Sequence, residues 1–144
     1  MNSLDTNILV YAANTAAPEH AKALAVVNAL LAAPAEWIIA DQVLWEFYKA
    51  LRHPKILQKP RTAAQAAAQV RFLRERSGAG CCAYETAHFM EVVSELDKKG
   101  FPYQRTHDAV LAVTLRRHGV RVFYTRNTAD FVDAGLFTVL NPID

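Results

Sequence analysis

The sequence predicts an α/β fold in which a parallel sheet carries helices on both faces. Short apolar runs alternate along the chain with segments of helical periodicity, the order that parallel strands joined by crossover helices produce. The 144 residues are 52% hydrophobic and 21% charged, the balance of an ordinary globule with enough apolar material to offset chain entropy. That length matches one domain, and no repeat, low-complexity linker or charge block divides it, so residues 1–144 are expected to fold as a single unit.

The elements follow in order. The start is ambiguous: Ile8 to Tyr11 favours a strand by propensity, whereas a strand at residues 2–5 followed by a helix from about residue 7 is the alternative. Residues 19–32 place Ala23, Leu24, Val27, Leu30 and Leu31 at helical spacing, and Pro34 ends that helix. Trp37-Ile38-Ile39-Ala40 reads as a buried strand, and Asp41 as the N-cap of a helix reaching Leu51. His53-Pro54 closes it, because the residue before proline disfavours the α conformation.

Residues 62–76 predict a further helix, with Gly78 and Gly80 marking a loop after it. Residues 86–99 predict another, ended by Gly100. A helix from Thr106 or His107 to His118 stops at Gly119. Val120 to Tyr124 is the clearest strand, and Phe137 to Leu140 is the last.

Composition excludes several classes. The longest apolar stretch, within residues 21–35, is interrupted by Lys22, Asn28 and Pro34 and is too short to span a bilayer. The opening Met-Asn-Ser-Leu-Asp has no basic region before an apolar core, which predicts a cytoplasmic protein without a signal peptide. Cys81 and Cys82 are adjacent and lack zinc-ligand spacing, so they read as free, partly buried thiols. The net charge of +2 does not by itself demand a nucleic-acid partner.

In open parallel sheets ligands bind at the carboxyl ends of the strands. Asp5 ends the first strand on one reading. Glu46 lies one turn into the helix after residues 37–40, Asp108 in the first turn of its helix, and Thr125, Asn127 and Asp130 just after the strand at 120–124. Each acid has a simpler role when taken singly: Asp108 as complement to a helix dipole, Asp130 as a turn cap, Asp5 as an Asx-turn residue. Glu46 borders the apolar stripe of Val43, Leu44, Phe47, Ala50 and Leu51, an uncomfortable place for an unpaired carboxylate. Three of these acids stand near helix beginnings or strand ends, and Glu46 on its helix can face the same place. Basic residues at Arg52, Lys55, Lys59 and Arg61, with Arg126 inside the last acidic motif, offer charge for a phosphate backbone. No Ser-His-Asp arrangement, Walker loop or G-x-G-x-x-G motif competes, and the first loop lacks the second aspartate of an Asp-x-Asp phosphatase motif.

The run Leu4-Asp5-Thr6-Asn7-Ile8-Leu9, Glu46 in Val-Leu-Trp-Glu-Phe, Asp108 in Thr-His-Asp-Ala, and Thr125 through Phe131 resemble, in this order, the motifs of PIN-domain nucleases. The nearest likeness is to the VapC toxins of bacterial toxin–antitoxin pairs, and it covers essentially the whole chain. The resemblance implies a three-layer fold with a parallel sheet of about five strands, and an N-terminal strand ending near Asp5. It implies a divalent-metal-dependent endoribonuclease with Asp5, Glu46, Asp108 and Asp130 as metal and catalytic acids, oxygen ligands that suit a hard ion such as Mg²⁺ or Mn²⁺, and Thr6, Thr125 and Asn127 in support. RNA would be the substrate, an antitoxin the partner and a homodimer the working form. Many members of this family carry aspartate where this chain has Asn127, so its site holds fewer charges. A catalytically inactive domain of the same fold, binding RNA or protein, is the alternative; it would be expected to have lost one of Asp5, Glu46 and Asp108, and this chain keeps all of them.

Overall fold

The computed structural model describes residues 1–144. Its sheet consists of five short strands: β1 (Asn2–Leu4), β2 (Ile38–Ala40), β3 (Gly80–Cys82), β4 (Val122–Tyr124) and β5 (Thr138–Leu140). Leu4, Ile39 and Phe123 are completely buried, as expected of apolar residues covered on both faces of a parallel sheet. Every pairing is parallel. β1 pairs with β4, β4 with β5 and β2 with β3. An isolated parallel bridge from Asn2 to Trp37 joins the two groups, giving the spatial order β3-β2-β1-β4-β5.

The chain therefore builds outward from β1 to β3 on one side, then returns to β4 on the other. The strand order reverses between β1 and β4, and a crevice opens beyond the carboxyl ends of strands at such a reversal. Residues 5 and 125 stand at that crevice.

Six helices cover the sheet: α1 (Thr6–Ala13), α2 (His20–Ala32), α3 (Asp41–Leu51), α4 (Ala63–Arg71), α5 (Phe89–Leu96) and α6 (Thr106–Arg117). They pack in two groups, α1 against α2 and α3 with α4 on α3, and separately α5 against α6. The result is a three-layer α/β/α arrangement. The N-terminal ambiguity resolves in favour of a strand at 2–4 followed by a helix, because Ile8 and Leu9 bury as helical neighbours.

Several sequence expectations are corrected. Asp41 does not cap α3: Ala40 is the N-cap, and Asp41 instead accepts a hydrogen bond from Arg74 Nε at 2.8 Å. Gly80 is not loop but the first residue of β3; at three residues, this strand is too short for periodicity to reveal. The helix expected over 86–99 is shorter, with a 3₁₀ turn at Thr86–His88 before α5 and a C-cap at Asp97, and Gly100 turns the chain at φ +76°. The helix expected over 62–76 starts with a capping box between Thr62 and Gln65 and ends in a π turn at Phe72–Arg76.

Glu46 is solvent-exposed, not pressed against the core; Val43, Leu44 and Phe47 take the buried side of α3. No helix is long and apolar enough to cross a membrane.

The loop that carries the last acid is tied down by Arg116. Its guanidinium reaches Glu91 on α5 at 2.5 Å and donates to the Ala134 carbonyl at 2.6 Å. A Cβ on Gly135, at φ +74°, would lie 3.0 Å from Arg116 Nη1, so glycine serves both the turn and the close approach.

Candidate active site

Asp5 is the centre of the site, and its position follows from the sheet. Leu4 pairs with Tyr124 across β1 and β4, and the Asp5 N–H donates to the Tyr124 carbonyl at 2.9 Å. Asp5 then leaves β1 in an extended conformation and caps α1, its carboxylate accepting the Thr6 N–H at 2.7 Å. Thr125 follows β4 and is wholly buried; its hydroxyl donates to Asp5 Oδ2 at 2.7 Å. Asp5 is itself only 8% exposed. Burial pushes its carboxyl up from the ordinary aspartate value, the hydrogen bonds from Thr125 and Thr6 pull it back, and the charges of Glu46 and Asp130 push it up again.

Asn7, one turn position beyond, was not singled out in the sequence. Its amide donates to Asp5 Oδ2 and to Thr125 Oγ1, both at 3.3 Å, and its carbonyl accepts the Arg126 N–H at 3.1 Å. It fastens the β1–α1 turn to the loop after β4. The signal available in the sequence was an amide two residues after an aspartate at a strand end, too common to assign a role.

Glu46 reaches the same cleft from α3. Its carboxylate accepts from Thr6 Oγ1 at 2.8 Å and from Gln42 Nε2 at 3.4 Å. Gln42 also donates to the His107 carbonyl at 3.0 Å, which links α3 to the start of α6. Gln42 is a second connecting residue that the sequence did not single out. The proline-free first turn of α6 then presents Asp108, half-buried. Its carboxyl is pushed up to about 6, first by burial and then by the charges of Asp5, Asp130 and Glu46, with Arg105 opposing. Burial and clustered like charge together disfavour its ionised form.

Asp5, Thr6, Asn7, Glu46, Asp108 and Asn127 all line one cleft of about 500 Å³. Asp130 stands on the other side of Asp108, where both line a smaller hollow of about 180 Å³. Arg105 holds Asp130 there, donating to its carbonyl with Nε 3.9 Å from its carboxylate. Asn127 is exposed, and its backbone N–H donates to Thr125 Oγ1 at 3.0 Å.

The basic residues are dispersed. Lys59 and Arg61 line a pocket that shares Asn14 with the acidic cleft. Arg52 and Lys55 are exposed, with Arg52 donating to the Tyr48 hydroxyl at 3.1 Å. Arg126 lies over the Tyr11 ring, donates to its hydroxyl and pairs with Glu19 at 3.3 Å, so its charge is already partnered.

The donor set suits a hard divalent cation: every side chain offers an oxygen ligand, and two of the carboxyls are destabilised in the charged form by burial and by the neighbouring acids. As the side chains lie, no three acids are close enough to enclose an ion. The fit is therefore one of chemistry and shared cleft, not of a closed coordination sphere.

Comparison with known proteins agrees with this architecture. The PIN domain family matches residues 3–135. The chain is 39% identical over 145 aligned positions to Ribonuclease VapC24 of Mycobacterium tuberculosis, covering 99% of this chain and 97% of that protein. Among solved structures it resembles M. tuberculosis VapC20, a sarcin-ricin loop cleaving toxin, with TM-score 0.69 at 18% identity, over 94% of this chain and 96% of that one. It also resembles FitAcB from Neisseria gonorrhoeae, with TM-score 0.65 at 17% identity, over 99% and 98% of the two chains. A structure of FitAB bound to the IR36 DNA fragment matches with TM-score 0.67 at 16% identity, over 100% of this chain and 96% of that one. At such identities these structures speak to the fold alone.

Proposed function

The chain belongs to the PIN-domain family, and from that premise we propose that it is a divalent-metal-dependent endoribonuclease, the toxin of a toxin–antitoxin pair. The observation that carries this reading is the convergence of Asp5, Glu46 and Asp108 on one cleft at the strand-order reversal. Full-length identity of 39% to a VapC ribonuclease supports the choice of RNA as substrate.

The chain's own residues supply the framework. Thr125, Thr6 and Asn7 fix the Asp5 carboxylate from below, leaving it in a near-dry environment where charge is costly. Thr6 and Gln42 orient Glu46 across the cleft, and Arg105 anchors Asp130 beside Asp108. Asp5, Glu46, Asp108 and Asp130 would hold Mg²⁺ or Mn²⁺. Bound there, such an ion would supply a nucleophilic water and charge neutralisation at the scissile phosphate. Asn127, at the rim, contributes a carbonyl where a carboxylate would add charge.

Lys55, Lys59, Arg61 and Arg52 serve the phosphates flanking the scissile bond. Arg126, paired with Glu19, serves them through the loop it holds. The working form is a homodimer in the cytoplasm, restrained by its antitoxin; Trp45, 66% exposed on α3, and Met90, 69% exposed on α5, are apolar side chains open to such contacts.

Expression in a bacterial host tests the reading. The wild type is expected to arrest growth and leave new RNA ends at defined positions, and Glu46→Gln to do neither at equal protein level. Equal arrest by the variant would remove the acidic cleft from the activity.

A further inference from the structure

Two hollows adjoin the acidic cleft, and they differ in charge. The one beyond Asp108, about 180 Å³, contains Lys98, Lys99 and Arg105, but Lys98 is paired with Glu95 at 2.7 Å and Arg105 is held by Asp130. Asp108 and Asp133 also line it, so acids outnumber cations there. A polyanion gains nothing by entering it.

The other hollow, about 280 Å³, lies beyond Asn14 and is walled by the end of α1 and the segment after α3. Its cations are Lys59 and Arg61, neither paired with a carboxylate, and no acid lines it. Arg61 is pre-positioned: its guanidinium donates to the Ala13 carbonyl at 3.2 Å and to the Lys59 carbonyl at 3.3 Å, and its N–H donates to the Leu51 carbonyl at 2.8 Å. These partners are neutral, so the positive charge remains available.

The remaining walls are of two kinds. Leu57, 3% exposed, lies buried beneath the hollow, while Thr15 and Gln58 are exposed polar side chains at its edge. Asn14 is held by its own loop, accepting the Ala16 N–H at 3.2 Å and donating to the Ile56 carbonyl at 3.5 Å, and so forms a fixed partition shared with the acidic cleft. Exposed polar edge groups beside adjacent uncompensated cations match two parts of one nucleotide, a base edge and a phosphate.

Building on the ribonuclease reading, we propose that this hollow is a base-recognition subsite for the nucleotide next to the scissile phosphate. The base presents its edge to Thr15 and Gln58, and the phosphate lies at Lys59 and Arg61. Thr15 and Gln58 are then specificity-determining residues, and the RNA strand leaves the acids toward Asn14, not toward Lys98 and Arg105.

The experiment is cut-site sequencing of total RNA treated with Mn²⁺ and either wild type or the Thr15→Ala/Gln58→Ala double variant. It is paired with steady-state kinetics on an oligonucleotide carrying the wild-type site. Both substitutions are on exposed side chains, and a thermal melt checks that the variant folds. The wild type is expected to prefer one base at a position beside the cut. The double variant should lose about fivefold or more of that preference, the worth of roughly one hydrogen bond. Lys59→Ala should raise KM several-fold with kcat within about twofold. Unchanged base preference and unchanged KM in these variants, with an active wild type, would overturn the subsite and leave the nuclease reading intact. A wild type that cuts no RNA would overturn both.

Discussion

At the residue scale the acids are unequal. Asp5 is buried and thoroughly hydrogen-bonded, Asp108 is half-buried with its carboxyl pushed up to about 6, and Glu46 is exposed. All the same, each should be needed for cleavage, because each bounds the single cleft. Asp5→Asn, Glu46→Gln and Asp108→Asn are expected to lower the rate of RNA cleavage by about a hundredfold or more, corresponding to ~3 kcal/mol of lost transition-state stabilisation. Single-turnover assays on folded variants check this, and wild-type rates would exclude the residue concerned.

Asp108 also makes stability depend on pH. Its folded-state pKa lies above the ordinary aspartate value of 3.8, at about 6, so the native protein holds the proton more tightly than the unfolded chain. Metal-free protein should therefore gain stability as pH falls from about 6 towards 4, and lose it as pH rises through that range. Asp5 is shifted in the same direction and adds to the trend. Asp108→Asn should flatten this dependence and raise the melting temperature in EDTA at neutral pH. A variant less stable than wild type there would mean that Asp108 chiefly serves the start of α6. Asn127→Asp, at the cleft rim, should tighten Mn²⁺ binding in a calorimetric titration; unchanged affinity would put Asn127 outside the ligand set.

At the scale of elements, β1 and β4 matter most, because their pairing brings Asp5 to Thr125. Thr125→Val keeps the shape and removes the hydroxyl that Asp5 accepts from. Denaturant unfolding should register a loss of about 1–3 kcal/mol, the usual cost of stripping a partner from a buried polar group. Unchanged stability would deny that this bond organises the site. The elements were also where the sequence was least uniformly informative. α2, α3 and α6 were legible because their apolar residues recur at helical spacing over 11 to 13 residues. β3 was not, because Gly80-Cys81-Cys82 offers neither length nor β-branched residues, and its place depends on pairing with β2. Asp41 looked like a cap from its neighbours in sequence, but Arg74, 33 residues away, claims its carboxylate.

At the scale of the whole molecule, the parallel order β3-β2-β1-β4-β5 turns acids scattered from residue 5 to residue 130 into neighbours. The acids themselves were readable in the sequence as motifs in order, whereas Asn7, Gln42 and Arg105 were not, since their importance lies in contacts across elements. The same architecture sets positive charge apart from the acids, on the side of Lys59 and Arg61. RNA affinity should accordingly fall with salt, with a slope of about −0.7 per phosphate neutralised on single strands. Replacing Lys55 and Lys59 by alanine should flatten that slope in an anisotropy titration, and an affinity indifferent to salt would point to a protein partner in place of RNA.

The central claim is that one acidic cleft cuts RNA with a divalent metal, and it is tested most directly with purified protein and total RNA. Reactions with Mn²⁺, with EDTA, and with Mn²⁺ plus Asp108→Asn are compared by sequencing the new ends. Cuts at defined positions are expected with Mn²⁺ and wild type only. Cleavage that persists in EDTA or in the variant, or no cleavage under any condition, would contradict the account.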